Sequence, residues 1–232
     1  MDRHFEEDLK ELRERVLYMG GLAETMIHQS IYALSMRKEE LCSDVFVHEE
    51  KVNDLHIEID DRSLKLIALH QPVAHDLRFL IAAIKIGSEL ERIGDQAVNI
   101  AENTIILLKY PPLKPLIDIP RMADTAKGMV KDSLESYVKG DPILARNVIL
   151  RDNDVDGLKD QLFRELLTYM ISDPSTIATA LPLILISRNL ERIADHATNI
   201  SEDVIYMIAG KDIRHHAEEK KSDPPGFSPA SS

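Results

Sequence analysis

The sequence predicts an all-α protein built from two tandem antiparallel three-helix bundles related by pseudo-two-fold symmetry. Charged residues make up 29% of the 232 residues, aromatic residues make up 5%, and tryptophan is absent. This composition is typical of helical bundles and unlike that of β-sandwiches or barrels. Long segments carry apolar residues at helical spacing. Residues 90–105 (LERIGDQAVNIAENTI) are nearly repeated at residues 190–205 (LERIADHATNISEDVI), which indicates an internal duplication.

The first half contains three predicted helices. The first follows apolar positions three or four residues apart and ends within residues 37–40; these positions include Leu9, Leu12, Val16, Met19, Leu22 and Met26. The second spans about residues 43–69. The third begins after Pro72, whose fixed φ suits a first helical turn, and continues to about Leu108. Four prolines within residues 109–120 then interrupt the pattern.

The second half repeats this plan. Its helices cover about residues 120–139, 142–171 and 174–209. Gly140, Asp141 and Pro142 supply, in order, a helix stop, an N-cap and a first-turn proline. Short connections make sequential helices antiparallel. The predicted units are therefore a first repeat (1–109), a proline-rich linker (110–119), a second repeat (120–210) and a polar tail (211–232) that we expect to be disordered.

A stripe of oxygen-bearing side chains lies on the last helix of each half. Its members are Glu91, Asp95, Asn99 and Glu102 in the first half and Glu191, Asp195, Asn199 and Glu202 in the second. Spacings of 4, 4 and 3 place them at roughly 0°, 40°, 80° and 20° around the helix axis. Like charges at this spacing destabilise a helix by roughly 0.2–0.5 kcal/mol per pair unless a cation neutralises them. The stripe therefore indicates a metal site.

The middle helix of each half carries a matching stripe. It comprises Glu49, Asn53, His56 and Asp60 in the first half and Asp152 and Asp156 in the second, where Lys159 and Phe163 replace the last two. Oxygen ligands favour iron, manganese or magnesium, and carboxylate-bound zinc remains open. Because Asn53 replaces a carboxylate, we expect the first site to hold fewer or weaker ions. We expect no proton or lysine to neutralise either row of carboxylates.

A plainer interpretation is that the stripes are solvated helix faces. Arg92 and Arg192 could then pair with Asp95 and Asp195, three residues further on. The repetition favours metal binding, because both copies keep the same oxygen carriers while neighbouring positions change, as from Gly94 to Ala194.

Charge and cysteine content narrow the range of partners. A net charge of −12 and a pI near 5.2 argue against nucleic-acid binding, which needs clustered basic residues. The single cysteine, Cys42, allows neither a disulfide framework nor a thiolate metal site within the chain. No apolar run approaches the roughly 20 residues that span a bilayer, and the N-terminus has no secretory signal. We expect a cytoplasmic protein that is peripheral at most to the membrane.

The chain resembles the PhoU family up to about Gly210. The matching features are His4-Phe5, Met19-Gly20, the turn QPVAHDLR at residues 71–78 and both E-R-I-x-D-x-A-x-N-I-x-E segments. The resemblance implies two pseudo-symmetric three-helix bundles that bind multinuclear metal clusters at paired motifs. Carried over to this sequence, these are Glu49 with Asn53, Glu91 with Asp95, Asp152 with Asp156, and Glu191 with Asp195.

The resemblance also implies a function. PhoU proteins are cytoplasmic negative regulators that limit phosphate uptake and link a phosphate ABC transporter to the sensor histidine kinase that controls phosphate-starvation genes. We expect a non-enzymatic regulator, a homodimer, with the transporter ATPase subunit and the kinase as partners. Two alternatives remain at this point: a carboxylate-bridged metallohydrolase acting on phosphoesters, and a metal-storage bundle.

Overall fold

The computed structural model describes residues 3–210 and contains six long helices. They are α1 (Arg3–Met36), α2 (Ser43–His70), α3 (Ala74–Leu108), α4 (Asp118–Lys139), α5 (Pro142–Ser172) and α6 (Ile177–Ala209), with short 3₁₀ turns at Glu39–Cys42 and Pro174–Thr176. No strand occurs in the described residues. The all-α prediction is confirmed, whereas the predicted disordered tail lies outside the described residues.

The junction between α4 and α5 follows the local signals predicted from the sequence. Gly140 ends α4 with a φ of 62°, a conformation that suits glycine. The carboxylate of Asp141 accepts hydrogen bonds from the backbone N–H groups of Ile143 and Leu144, and Pro142 occupies the first turn. A stop, a cap and a start therefore fit within three residues.

Three helices begin at residues other than those predicted, and one of them, α6, begins at Ile177 because Pro174–Thr176 form a 3₁₀ turn. α4 begins at Asp118 because Ile119, only 1% exposed, already packs into the core. Pro120 then falls within the first turn, where its missing N–H has no intrahelical partner to lose. α3 begins at Ala74, so Pro72 precedes the helix and does not form its first turn. The left-handed backbone of Gln71, with φ 45°, ends α2 just before it.

The two halves pack through their first and last helices. α1 lies against α4, and α3 lies along α6, while α2 and α5 are the outer helices of their respective halves. α3 and α6 are antiparallel, since ion pairs and hydrogen bonds join Lys85 to Asp203 and Glu89 to Asn199. Together with the sequence repeat, this antiparallel packing of α3 and α6 confirms two three-helix bundles related by pseudo-two-fold symmetry.

A continuous apolar core runs through both halves. Its largest fully buried side chains are Tyr137, Leu12, Met19, Met26, Ile27, Leu34, Ile59, Leu80, Ile86, Leu90, Ile93 and Ile100. The ring of Phe79 on α3 stacks on Tyr137 of α4 with centroids 5.5 Å apart, so the core also crosses between halves. Among the described helices, none is long and apolar enough to cross a membrane.

Candidate metal centre

Small residues bring α2 close to α3 in the first half. Gly87 and Gly94 of α3 are both buried against α2. A Cβ added to Gly94 would lie 3.4 Å from Val52, and one added to Gly87 would lie 3.5 Å from Ile59. Both distances are ordinary van der Waals contacts, so alanine would fit at either position, whereas a bulkier side chain would push the helices apart. Small residues here therefore allow the polar residues of the two helices to approach one another.

The first acidic cluster comprises Glu49 and Asn53 on α2 and Glu91 and Asp95 on α3. Asn53 Nδ2 donates a hydrogen bond to Glu49 Oε1 at 2.6 Å, while Asn53 Oδ1 is buried with no hydrogen-bond partner in the described part of the chain. Burial, reinforced by the charge of Asp95, raises the pKa of Glu91. Burial and the charge of Glu49 raise the pKa of Asp95. His56 offsets only part of this repulsion at Glu91.

The second acidic cluster comprises Asp152 and Asp156 on α5 and Glu191 and Asp195 on α6. Lys159 lies beside it: its Nζ donates to Asp156 Oδ1 at 3.2 Å and to Glu191 Oε1 at 3.3 Å. Asp160 Oδ1 is 3.7 Å away. The expectation that no lysine neutralises the carboxylates was therefore wrong for this half. Lys159 follows Asp156 by three residues, so the two share one helix face.

Three ionisable groups of the second cluster have raised pKa values. Burial raises the pKa of Asp195 to about 6, with further contributions from the charges of Glu191, Asp152 and Asp156. Burial, with the charge of Asp156, also raises the pKa of Asp152. Burial opposes the charge of Lys159, but its hydrogen bonds to Asp156 and Glu191 outweigh this and raise its pKa.

The last two members of the α6 stripe lie toward α3, away from the second cluster. Asn199 Nδ2 donates to Glu89 Oε2 at 3.0 Å, so it faces α3 rather than α5. Glu202 lines a cleft of about 250 Å³ between α3 and α6. In the first half, the backbone carbonyl of Asn99 accepts from Asn103, and Glu102 is exposed. The third member of the stripe is rotated by roughly 80° around the helix axis from the first, so Asn199 points toward α3.

A polar network between α3 and α6 was not predicted from the sequence. Glu89 Oε2 lies 2.7 Å from His196 Nδ1, and Lys85 Nζ donates to Asp203 Oδ1 at 2.8 Å. Burial alone would raise the pKa of Glu89, but hydrogen bonds from His196 and Asn199 outweigh it and lower that pKa. A signal was present, since Glu89 and His196 both differ from their counterparts in the other repeat.

The donor atoms of the first cluster suit a hard cation, but their present arrangement does not form a metal site. Three carboxylates and the unpartnered Oδ1 of Asn53 are oxygen donors of the kind that magnesium, manganese and iron(III) prefer. Within residues 3–210, however, no three His, Cys, Asp or Glu side chains are arranged to hold a metal ion. An ion would have to draw the side chains of α2 and α3 together. In the second cluster an ammonium already binds two of the oxygens.

The comparisons with known proteins agree with this duplicated architecture. The family model for the PhoU domain matches twice, at residues 16–104 and 119–204. The chain belongs to the PhoU family. A PhoU homolog from Aquifex aeolicus, called a phosphate-specific transport system accessory protein, is 42% identical over 214 residues, which cover 92% of this chain and 97% of that protein. A homolog of the same description from Caulobacter vibrioides is 40% identical over 91% of this chain and 92% of its own.

Solved PhoU structures share the fold. The crystal structure of PhoU from Pseudomonas aeruginosa has a TM-score of 0.86 and 34% sequence identity, and the match covers 89% of this chain and 100% of that one. PhoU from Streptococcus pneumoniae, titled a phosphate transport system regulatory protein, has a TM-score of 0.83 at 24% identity. The resemblance identified from sequence motifs is therefore confirmed.

Proposed function

We propose that this protein is a non-enzymatic negative regulator of phosphate uptake and of phosphate-starvation signalling. The observation that carries the proposal is the double PhoU-domain match, which spans both three-helix halves, together with relatives named as accessory proteins of a phosphate-specific transport system. In this role the protein, as a cytoplasmic homodimer, contacts the ATPase subunit of a phosphate ABC transporter and a sensor histidine kinase.

The acidic clusters supply a metal-dependent component of this proposal. Glu49, Asn53, Glu91 and Asp95 would hold a hard cation between α2 and α3. A bound cation would neutralise the mutual repulsion of these carboxylates and fix the outer helix of the half against its neighbour. The regulator would then present a more rigid surface to its partners.

Deletion of the gene tests the regulatory role. We expect faster phosphate uptake and expression of phosphate-starvation genes at high external phosphate in the deleted strain, and return of both to normal when the wild-type gene is restored. Unchanged repression in the deleted strain would refute the role. Purification of the tagged protein from its own cells should bring down the transporter ATPase subunit, and failure to do so at low salt would remove that partner.

Elemental analysis tests the metal component separately. We expect bound metal in the purified wild-type protein and loss of most of it in the Glu91→Ala/Glu191→Ala double variant. Glu102→Ala is the matched control, because Glu102 lies on α3 but is exposed and outside the first acidic cluster. Equal loss of metal in the control and in the double variant would place the ions elsewhere. Metal-loaded protein that hydrolyses phosphoesters, with loss of turnover in Asp195→Ala, would instead favour the metallohydrolase alternative.

A further inference from the structure

The two halves differ by a paired change inside their acidic clusters. Asn53 of α2 corresponds to Asp156 of α5 in the repeat, and His56 corresponds to Lys159. The first half therefore has an amide and an imidazole where the second has a carboxylate and an ammonium. If His56 is left out of the count, each cluster has a formal charge of −3, but only the second contains a lysine.

The ammonium of Lys159 bridges two helices. It donates to Asp156 on its own helix at 3.2 Å and to Glu191 on α6 at 3.3 Å. The Lys159 side chain is 28% exposed and that of Glu191 is 22% exposed, so this contact is less open to water than an ordinary surface pair. A cation shared by carboxylates of two helices holds those helices together, which is also what a bridging metal ion would do.

We infer that Lys159 is a built-in counter-cation, which takes the bridging place between α5 and α6 and makes the second half independent of added metal. The first half is then the metal-responsive one. The metal response of the first half rests on the proposed metal role, whereas the contacts of Lys159 do not depend on it. The sequence predicted the opposite difference between the halves, because Asn53 was expected to make the first site bind metal more weakly.

The physical reason lies in competition for the same oxygens. A divalent ion at the second cluster would need Asp156 and Glu191, which already bind the ammonium, and it would be repelled by the positive charge of Lys159. In the first cluster, Oδ1 of Asn53 is buried without a partner in the described residues. There an ion gains a ligand without displacing a cation.

Substitution of Lys159 in chelator-treated protein provides the first test. Lys159→Met keeps most of the apolar stem and removes the charge. Its melting temperature should fall by about 2–4 °C, the shift expected for loss of one moderate interaction in a chain of this size. The control is Lys65→Met, which removes an ammonium paired with Asp61 on the exposed face of α2 and should change the melting temperature little.

Addition of Mn²⁺ to the same samples tests the equivalence of ammonium and metal. Mn²⁺ should restore the melting temperature of Lys159→Met, because an ion can enter the vacated place. An unchanged melting temperature of Lys159→Met in chelator would overturn the inference. Absence of rescue by Mn²⁺ would also overturn it, since Lys159 would then stabilise the fold without acting as a counter-cation.

Manganese content of single variants distinguishes the two halves. Glu91→Ala should remove most of the bound Mn²⁺ and Glu191→Ala little of it, whereas Lys159→His, which copies His56, should raise the content. Equal losses in Glu91→Ala and Glu191→Ala would refute the difference between the halves. A wild-type protein that binds no Mn²⁺ would refute the metal component of the proposed function, while a lower melting temperature of Lys159→Met in chelator, restored by Mn²⁺, would still support the counter-cation.

Discussion

Two adjacent glycines in α1 should respond in opposite ways to the same substitution. Gly20 lies where α1 crosses α4, and a Cβ added there would lie 2.2 Å from Cδ1 of Leu134. Carbon atoms in contact are normally about 3.5–4.0 Å apart, so Leu134, which is 4% exposed, must move by more than about 1 Å. A Cβ added to Gly21 would meet no atom within 4 Å.

The expected free energies follow from this geometry. Alanine in a helix interior is about 1 kcal/mol more favourable than glycine, so Gly21→Ala should stabilise the protein by about 0.5–1 kcal/mol. Gly20→Ala makes the same gain but overpacks the crossing at a cost of about 1–3 kcal/mol. Its net effect should be a loss of about 0–2 kcal/mol. The two variants should differ by about 1–3 kcal/mol.

Urea unfolding of both variants, followed by circular dichroism, measures this difference. A double-mutant cycle with Leu134→Ala identifies its source: the leucine truncation alone should cost about 2–5 kcal/mol, and less in the Gly20→Ala background because the new methyl occupies part of the cavity. Equal stabilisation by Gly20→Ala and Gly21→Ala, or strict additivity in the cycle, would refute the close crossing of α1 and α4.

Three further predictions concern single side chains. Burial and neighbouring carboxylates raise the pKa of Asp195 from 3.8 to about 6, so the metal-free protein should lose stability as the pH rises through this range. Asp195→Asn should stabilise the protein by about 1 kcal/mol at pH 7, after allowance for solvent screening. Urea titrations should show this gain shrinking toward pH 4. Asp141→Ala removes the N-cap of α5 and should cost about 1 kcal/mol in the same assay, while Asp141→Asn should cost much less. The hydroxyl of Tyr137 is buried without a partner in the described residues, so Tyr137→Phe should leave the melting temperature unchanged or raise it, whereas Tyr137→Ala should lower it sharply.

Local signals were sufficient to predict most helix boundaries. Gly140, Asp141 and Pro142 specify a stop, a cap and a first turn through backbone conformation and hydrogen bonding that act within a few residues. The beginning of α4 could not be predicted in this way. It depends on the burial of Ile119, which is a property of the assembled core and not of the neighbouring sequence.

The candidate site was also predictable only where it depends on local sequence, that is, on residue spacing within one helix. Helical spacing correctly placed Glu91 and Asp95 on one face, and the repeat identified Glu49 and Asn53 as their counterparts on α2. The same spacing grouped Asn199 with Glu191, but Asn199 instead binds Glu89 of the other half. Spacing along one helix defines a face, and only the crossing with α3 decides what that face contacts.

Positions at which the two repeats differ indicate contacts that the shared positions do not reveal. Glu89 and His196 form a contact of 2.7 Å where α3 crosses α6. The equivalent positions in the repeat are Asn189 and Gln96, both buried and both uncharged. Burial of one charge without a partner is costly, so a substitution that introduces a charge here requires a second one that compensates it.

The same rule links Asp156 and Lys159, which replace Asn53 and His56 together and pair at 3.2 Å. In both cases one repeat has a carboxylate with a basic partner where the other has an amide with a second amide or an imidazole. Glu89 and His196 make this contact where the halves meet, whereas Asp156 and Lys159 make it in the second half alone. Divergence after duplication therefore left the first acidic cluster as the one whose carboxylates have no lysine among them in the described residues, so an external cation can bind there without displacing an ammonium.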